Sequence, residues 1–597
     1  MNEPTPAAVP VLIYDGRCGF CRIWIDYWRQ LTGKRIEYLP SQDAGDRFPQ
    51  ISPEAYAQSV QFVHPDGTVT AGARAVFETL GLLNLYRWIA APSEMLYRFI
   101  AAHRDFAYQA TRFTFGTRIE VTRFEAVQWI FIRVLAAVYA VAFASVATQA
   151  EGLIGSHGIL PATQLLASIG QRAGALRFLA IPSIFWAATD DLTLTGMAWC
   201  GVALAFALFI TGFKRGRLER FLLVALFILY LSYSAIGQEF LSFQWDSLLL
   251  ETGFLAIFLG RNRVTPWLFR WLAFRLYFLS GAVKLLSEDP TWRNLTAVSF
   301  HYHTQPLPTV LAWYADKLPP GIQHISTWMV LAIELVVPFL LFMPRRIRLA
   351  GAAWMIALQV LILSTGNYAF FNLLTLGLLL FALDDQTLRG LVPEYIREER
   401  FGRLAGALER RVAAVVAVVL VFLWIAHLWV TFRGTAPAPV IDALKYSGPL
   451  EIVNSYGLFA VMTTQRMEIV VEGSADGNNW KPYEFRYKPG DLATAPSWVA
   501  PFQPRLDWQM WFAALGSYQS NPWFVSFVIR LLEGAPAVNG LLATNPFPGQ
   551  PPRFVRATVY EYTFTDFETR KRTGAWWQRQ RRGQYLPPVG LKAASGS

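Results

Sequence analysis

Between residues 125 and 432 the sequence turns hydrophobic again and again, each time for close to the thickness of a bilayer. These segments lie near 127–147, 193–213, 219–236, 243–260, 265–286, 324–343, 347–365, 370–384 and 412–432. Roughly 20 apolar residues carry an α-helix across a bilayer, and within lipid only helices and closed barrels satisfy their own backbone hydrogen bonds. A chain patterned this way folds as a polytopic helical membrane protein with about nine spans. Charged residues make up only 16% of the 597, against about 25% in soluble domains, which supports the same class.

The formal charge of +11 does not point to nucleic acid, because the Lys and Arg residues lie between the hydrophobic segments. With the N-terminus inside, the inner loops hold Lys214, Arg215, Arg217, Arg220, Arg261, Arg263, Arg345, Arg346, Arg348, Arg389, Arg397, Arg400, Arg403, Arg410 and Arg411. The outer loops hold Arg172, Arg177, Arg293 and Lys317. Basic residues concentrate in cytoplasmic loops, so the N-terminus is expected in the cytoplasm and the C-terminus outside. Met1 to Pro10 has neither the basic start nor the apolar core of a secretory signal.

Three regions are expected, with residues 1–115 a soluble α/β domain and 120–432 the membrane domain. Residues 433–597 read as an antiparallel β-sandwich, from strands at Arg466–Glu472, Tyr483–Tyr487 and Val555–Thr565, followed by a loosely ordered basic tail from Lys571.

The first region contains Tyr14-Asp15-Gly16-Arg17-Cys18-Gly19-Phe20-Cys21 between a short apolar strand and an amphipathic helix. At the start of a helix, orphan N–H groups and the helix dipole stabilise a Cys18 thiolate, and Cys21 one turn later can resolve a mixed disulfide. The other readings are half of a zinc site or two cysteines packed by chance. His64 and His103 match no zinc spacing, and three cysteines exclude a disulfide scaffold and a four-cysteine zinc site, so no metal or cofactor is expected. With its Tyr14, Asp15 and Gly16 lead, the segment resembles the DCC-type thiol–disulfide oxidoreductases. That resemblance implies a thioredoxin-like fold, catalytic Cys18 and Cys21, and a redox partner. Gln58-Ser59-Val60 departs from thioredoxins, which place a cis-proline opposite the dithiol.

Asp246, Glu251, Arg275, Lys284 and Glu334 are expected at membrane depth, where an unpaired charge costs at least about 2.5–3.5 kcal/mol. One of Asp246 and Glu251 is expected to pair with Lys284 and the other with Arg275. His301 and His303 share a face if their loop is extended, for metal or proton work, surface recognition or packing. Arg505, Asp507, Trp508 and Trp511 form either an exposed protein-binding cluster or a buried Arg505–Asp507 pair under tryptophan.

Three stretches resemble the lipase maturation factor family. They are Gly152 to Pro161; Phe243 through Glu251, continuing at Lys284–Trp292 and His301-Tyr302-His303-Thr304-Gln305-Pro306-Leu307-Pro308; and Pro504 to Phe512. The resemblance implies a membrane chaperone that helps secreted lipases fold or assemble, with its C-terminal domain facing the client. The fused dithiol domain suggests a bacterial inner membrane. The region after 433 has no cysteine, and Cys200 alone cannot relay a two-electron exchange, so the two ends are expected to act independently. The competing class is an intramembrane enzyme, distantly similar to vitamin K-dependent carboxylases, with Lys284, His301 and His303 as acid–base residues on a lipid-soluble substrate. A transporter fits less well, since no inverted repeat is evident.

Overall fold

Strand β1 (Val11–Tyr14) sends alternate side chains to two buried faces. Val11 and Ile13 pack with Phe48, Ile51 and Val63, whereas Leu12 and Tyr14 pack with Ile25, Phe62 and Ala75. Helix α1 (Gly19–Thr32) crosses over to β2 (Glu37–Pro40), which runs parallel to β1; β3 (Gln61–Val63) and β4 (Val69–Ala71) add antiparallel in the order β2-β1-β3-β4. Helices α2 (Pro53–Gln58), α3 (Gly72–Thr79), α4 (Leu83–Ala102) and α5 (Arg104–Thr114) complete this small α/β region. The compact unit extends to Arg123 and takes in Phe342–Ala350.

The computed structural model describes residues 9–45, 47–211, 216–260, 264–394 and 406–591. Lys214, Arg215, Arg261, Arg263, Arg397, Arg400 and Arg403, counted above as inner-loop charges, lie outside the described residues, as do residues 592–597 of the tail.

The second unit holds Phe124–Leu341 and the chain from Gly351 onward. Six described helices are long and apolar enough to cross a membrane: Glu125–Ala147 (α6), Asp191–Thr211 (α7), Arg217–Ile236 (α8), Pro320–Phe342 (α11), Arg345–Thr365 (α12) and Ala407–Arg433 (α14). The other three expected spans differ in kind. Gln244–Ile257 (α9) has only 14 residues, Phe371–Ala382 (α13) is short, and Val264–Leu286 (α10) carries Arg270, Arg275 and Lys284. α10 is nonetheless largely buried, as a helix carrying charge among apolar neighbours must be.

Among the described residues the C-terminal region shows one sheet in place of the expected sandwich. Its described strands form one antiparallel sheet, β6-β5-β7-β8, from Arg466–Ser474 (β5), Lys481–Pro482 (β6), Phe554–Phe564 (β7) and Trp577–Val589 (β8). The stretch expected as a strand at Tyr483–Tyr487 contributes only a bridge from Glu484 to Thr544. The expected loose tail is ordered through helix Phe567–Thr573 and edge strand β8, where Arg579, Arg581 and Arg582 are the charges that keep an open edge from pairing with another chain. No second sheet covers the first because other elements do. Ala312 and Trp313, from the short helix Val310–Asp316 before α11, share a core with Tyr562, Phe564 and Trp577, and Trp292 and Ala297 share another with Met462. The loops between spans and the C-terminal sheet therefore have a common interior.

Candidate functional site

Two groups of residues carry chemistry. In the first, β1 ends at Tyr14 and Cys18 caps α1, its sulfur accepting a hydrogen bond from the Cys21 N–H at 3.3 Å. Asp15 shapes the connecting loop: Oδ1 accepts from Arg17 N at 2.9 Å and from Gln42 Nε2 at 3.2 Å, and Oδ2 pairs with Arg104 Nη1 at 3.1 Å. Gln42 Oε1 in turn accepts from Gly16 N at 3.1 Å; a Cβ at Gly16 would stand 2.7 Å from that oxygen and 3.0 Å from Pro40 Cβ, so a side chain there would displace the Gln42 amide that holds the loop. Both cysteines are half-buried and unpaired.

Hydrogen bonding from Cys21 stabilises the Cys18 thiolate, burial opposes it and the Arg104 charge assists, leaving the Cys18 pKa lowered to about 6. The hydrogen bond between the two thiol side chains, together with burial, pushes Cys21 far up. At neutral pH the site thus presents one thiolate and one protonated thiol. Phe20, Trp24, Trp28, Tyr97 and Arg104 line a 60 Å³ cavity at Cys21, with Ser59 and Val60 on its wall. Alkylation of Cys18 by iodoacetamide should rise through pH 6 and level off above pH 7, with Cys21 unmodified throughout. A midpoint in the ordinary thiol range would remove the helix-terminus account.

The second group joins the membrane helices to the C-terminal region. Asp246, in the first turn of α9, pairs with Arg505, the first residue of helix α15 (Arg505–Ala513). The guanidinium grips both carboxylate oxygens, at 3.0 and 3.1 Å, and donates to Phe240 O at 2.7 Å, while Tyr230 donates to Asp246 at 2.5 Å. Both charged side chains are fully buried. Beside them Gln149 accepts from Arg505 N at 2.9 Å and donates to Gln503 O at 2.8 Å.

One turn further into α9, Glu251 accepts hydrogen bonds from four residues: Arg275 at 2.6 Å, Tyr456 OH at 2.7 Å, Trp424 Nε1 at 2.8 Å and Asn454, through N at 3.1 Å and Nδ2 at 3.5 Å. Arg275 also donates to Asn454 O and lies over the rings of Trp424 and Tyr456. Lys284 directs its ammonium to both oxygens of Glu334, at 2.7 and 2.9 Å, and to Ser280 O at 3.1 Å.

These placements correct several expectations. Glu251 does pair with Arg275, but Asp246 is held by Arg505, and Lys284 by Glu334. Arg505, Asp507, Trp508 and Trp511 are buried, so they offer no client-binding surface. Asp507 accepts from the N–H groups of Tyr487 and Lys488 at 2.8 and 2.9 Å instead of pairing with Arg505. Trp508 packs on Phe243 and Trp245, and Trp511 donates to Thr304 O at 2.8 Å. His301 and His303 sit in a helix, Ala297–Thr304, whose turn parts them. His303 pairs with Asp316 at 2.8 Å. His301 meets Tyr368 OH at 3.1 Å, and that hydroxyl donates to Gln305 at 2.9 Å; burial first and the Lys284 charge second hold His301 down to about 4. Among the described residues no cluster of His, Cys, Asp or Glu is arranged to hold a metal ion.

Sequence reasoning missed Tyr230, Trp424, Asn454, Tyr456 and Arg466. Arg466 pairs with Glu468 and donates to the backbone oxygens of His303, Gln305 and Pro306. Tyr230 and Trp424 lie inside hydrophobic segments, whereas Asn454, Tyr456 and Arg466 lie well beyond the last one, so no common sequence signal marks them.

Comparison with known proteins covers most of the chain. The family model of the lipase maturation factor transmembrane domain matches residues 126–390, and that of the lipase maturation factor C-terminal domain matches 452–587. A DCC1-like thiol-disulfide oxidoreductase model matches residues 12–112. Lipase maturation factor 2 of Homo sapiens is 36% identical over 590 residues, covering 77% of this chain and 82% of that protein. Its Xenopus tropicalis counterpart is 35% identical over 582 residues, with the same coverage. Lipase maturation factor 1 of Bos taurus is 34% identical over 524 residues, covering 80% and 91%. No solved structure matches the chain.

Proposed function

We infer, because the chain belongs to the lipase maturation factor family, that it is a membrane-bound maturation factor helping secreted lipases reach their folded or assembled form. The observation that carries this reading is the match of both the membrane and the C-terminal regions to that family. The clusters shared by the loops and the C-terminal region support a client-facing surface built from both.

The reading includes nine crossings, with the N-terminus in the cytoplasm and the C-terminal region on the far side of a bacterial inner membrane. The charge asymmetry of the loops supports the orientation. So does the placement of helix ends within the second unit. Ser145 and Gln149 at the end of α6, Phe240 after α8, Ser287 after α10 and Asn367 after α12 all bond residues of the C-terminal region. At the opposite end, Asp385 after α13 accepts from the N–H groups of Glu125 and Val127, capping the start of α6.

The dithiol acts separately. The Cys18 thiolate attacks a partner disulfide, forming a mixed disulfide and releasing one partner thiolate, which takes up a proton. Cys21 then loses its proton, attacks the Cys18 sulfur and frees the second partner thiol, so two electrons pass from the dithiol to the partner. The intramembrane-enzyme reading gains no support, because Lys284 spends its ammonium hydrogens on Glu334 and Ser280.

In cells stripped of their own lipase maturation factors, this chain should restore activity per molecule of secreted lipase, and the Cys18→Ser, Cys21→Ser variant should do so equally well. An N-terminal fluorescent fusion and a C-terminal alkaline phosphatase fusion should both be active. Inactive lipase despite correct insertion would sink the maturation reading, and rescue by the wild type alone would overturn the independence of the dithiol.

A further inference from the structure

Helix α4 is built inside out. Toward its own domain it turns polar groups: Glu94 accepts from Arg74 N at 3.3 Å and Tyr86 OH at 3.0 Å, and the Tyr97 hydroxyl accepts from Val60 N at 2.9 Å. Away from the domain it exposes Leu85 and Trp88 before a kink at Ile89 and Met95 and Phe99 after it, each pair one turn apart on one face. Trp88 is 85% exposed and Met95 72%; α5 continues the pattern with Phe106 at 63% and Phe113 at 72%. A helix of a soluble domain shows the reverse arrangement.

The exposed charge beside this stripe is mainly basic. Arg87, next to Trp88, and Arg98, one turn past Met95, are exposed on the two sides of the kink; Arg112 and Arg118 are exposed farther along. Of the two acids in α4 and α5, Glu94 is turned inward, leaving Asp105. The chain also ties this region to the membrane twice. α5 ends at Thr114, shortly before α6 begins at Glu125, and the same unit contains Phe342–Ala350, where α11 ends and α12 begins. A Cβ on Gly116 would stand 3.6 Å from Arg346 Nε in that segment.

We propose that α4 and α5 lie on the anionic surface of the bilayer that the chain crosses, with the apolar stripe at the acyl boundary and the arginines among lipid phosphates. Trp, Phe, Leu and Met on one face with Arg beside them is the composition of an interfacial helix, and basic groups near an anionic leaflet add to its hold. The inner side of the same helices, through Tyr97, Ile100 and Arg104, lines the cavity at Cys21. The dithiol cavity then lies about one helix diameter, some 10–12 Å, from lipid.

The test uses the full chain with Cys18→Ser, Cys21→Ser and Cys200→Ser, in nanodiscs of phosphatidylcholine and phosphatidylglycerol. A nitroxide is attached at Met95→Cys or Phe113→Cys, with exposed Asp43→Cys as control. Collisions with oxygen relative to a water-soluble nickel chelate should be several-fold higher at 95 and 113 than at 43. Adding Arg87→Gln and Arg98→Gln should shift position 95 toward the nickel reagent. Free access of nickel at 95 and 113 would overturn the proposal, as would exclusion of both reagents, the mark of a protein partner. Indifference to the arginine substitutions would overturn its anionic component.

Discussion

Arg505→Met is expected to lower the stability of the folded chain by about 3–5 kcal/mol, because it strands the buried Asp246 carboxylate without a counter-ion. Methionine fills much of the arginine volume, so the loss reports the charge and its fork of hydrogen bonds more than a cavity. The measurement is the thermal midpoint of detergent-solubilised protein followed by tryptophan fluorescence, with limited proteolysis to detect release of the C-terminal region. Combining Asp246→Asn with Arg505→Met should recover part of the loss, since the double variant no longer buries a lone charge; residues in direct contact couple by about 0.5–3 kcal/mol. Equal midpoints for the wild type and Arg505→Met would refute the clamp.

Glu251→Leu is expected to do more damage still. It leaves Arg275 charged in a dry interior and orphans the donors of Tyr456, Trp424 and Asn454. Losing the ion pair costs about 3–5 kcal/mol, and each orphaned donor adds about 1–3 kcal/mol. That sum rivals the whole stability of an ordinary domain, about 5–15 kcal/mol, so little monodisperse protein should survive size-exclusion chromatography. Glu251→Gln, which keeps an acceptor oxygen, should be recovered in intermediate yield. A Glu251→Leu chain eluting and melting like the wild type would contradict the hub role.

The parts that were legible in the sequence are those fixed by local pattern. β1, the Cys18-x-x-Cys21 turn and α1 declare themselves within a short run, because strand alternation, capping and helix periodicity act over a few residues. The hydrophobic segments are legible for the same reason. Charge partners are not, since Glu251 and Arg275 lie 24 positions apart, Lys284 and Glu334 lie 50 apart, and Arg466 reaches back 163 positions to His303. Asp507 looked like the partner of Arg505 because it is two residues away, yet at that spacing on a helix the side chains diverge. The basic composition of β8 suggested disorder, whereas on an edge strand it is what keeps the sheet from recruiting another chain. The stripe on α4 illustrates a further limit: its spacing is plain in the sequence, but periodicity alone does not say whether the apolar face meets the domain core or something else.

The bond between Asp246 and Arg505 joins residues 259 positions apart, and this separation has a consequence during synthesis. At about 5–20 residues per second, translation takes roughly 13–50 s to travel from one to the other. For that interval α9 exists with its acid made and its guanidinium not yet polymerised, and Glu251 likewise waits for Trp424, Asn454 and Tyr456. Insertion of the helices and completion of their interior are therefore separate events in time. A ribosome stalled before Arg505 leaves a bundle whose central carboxylate has the Tyr230 hydroxyl but no counter-ion to close on, a substrate for membrane quality control even though its described membrane-crossing helices have all been made.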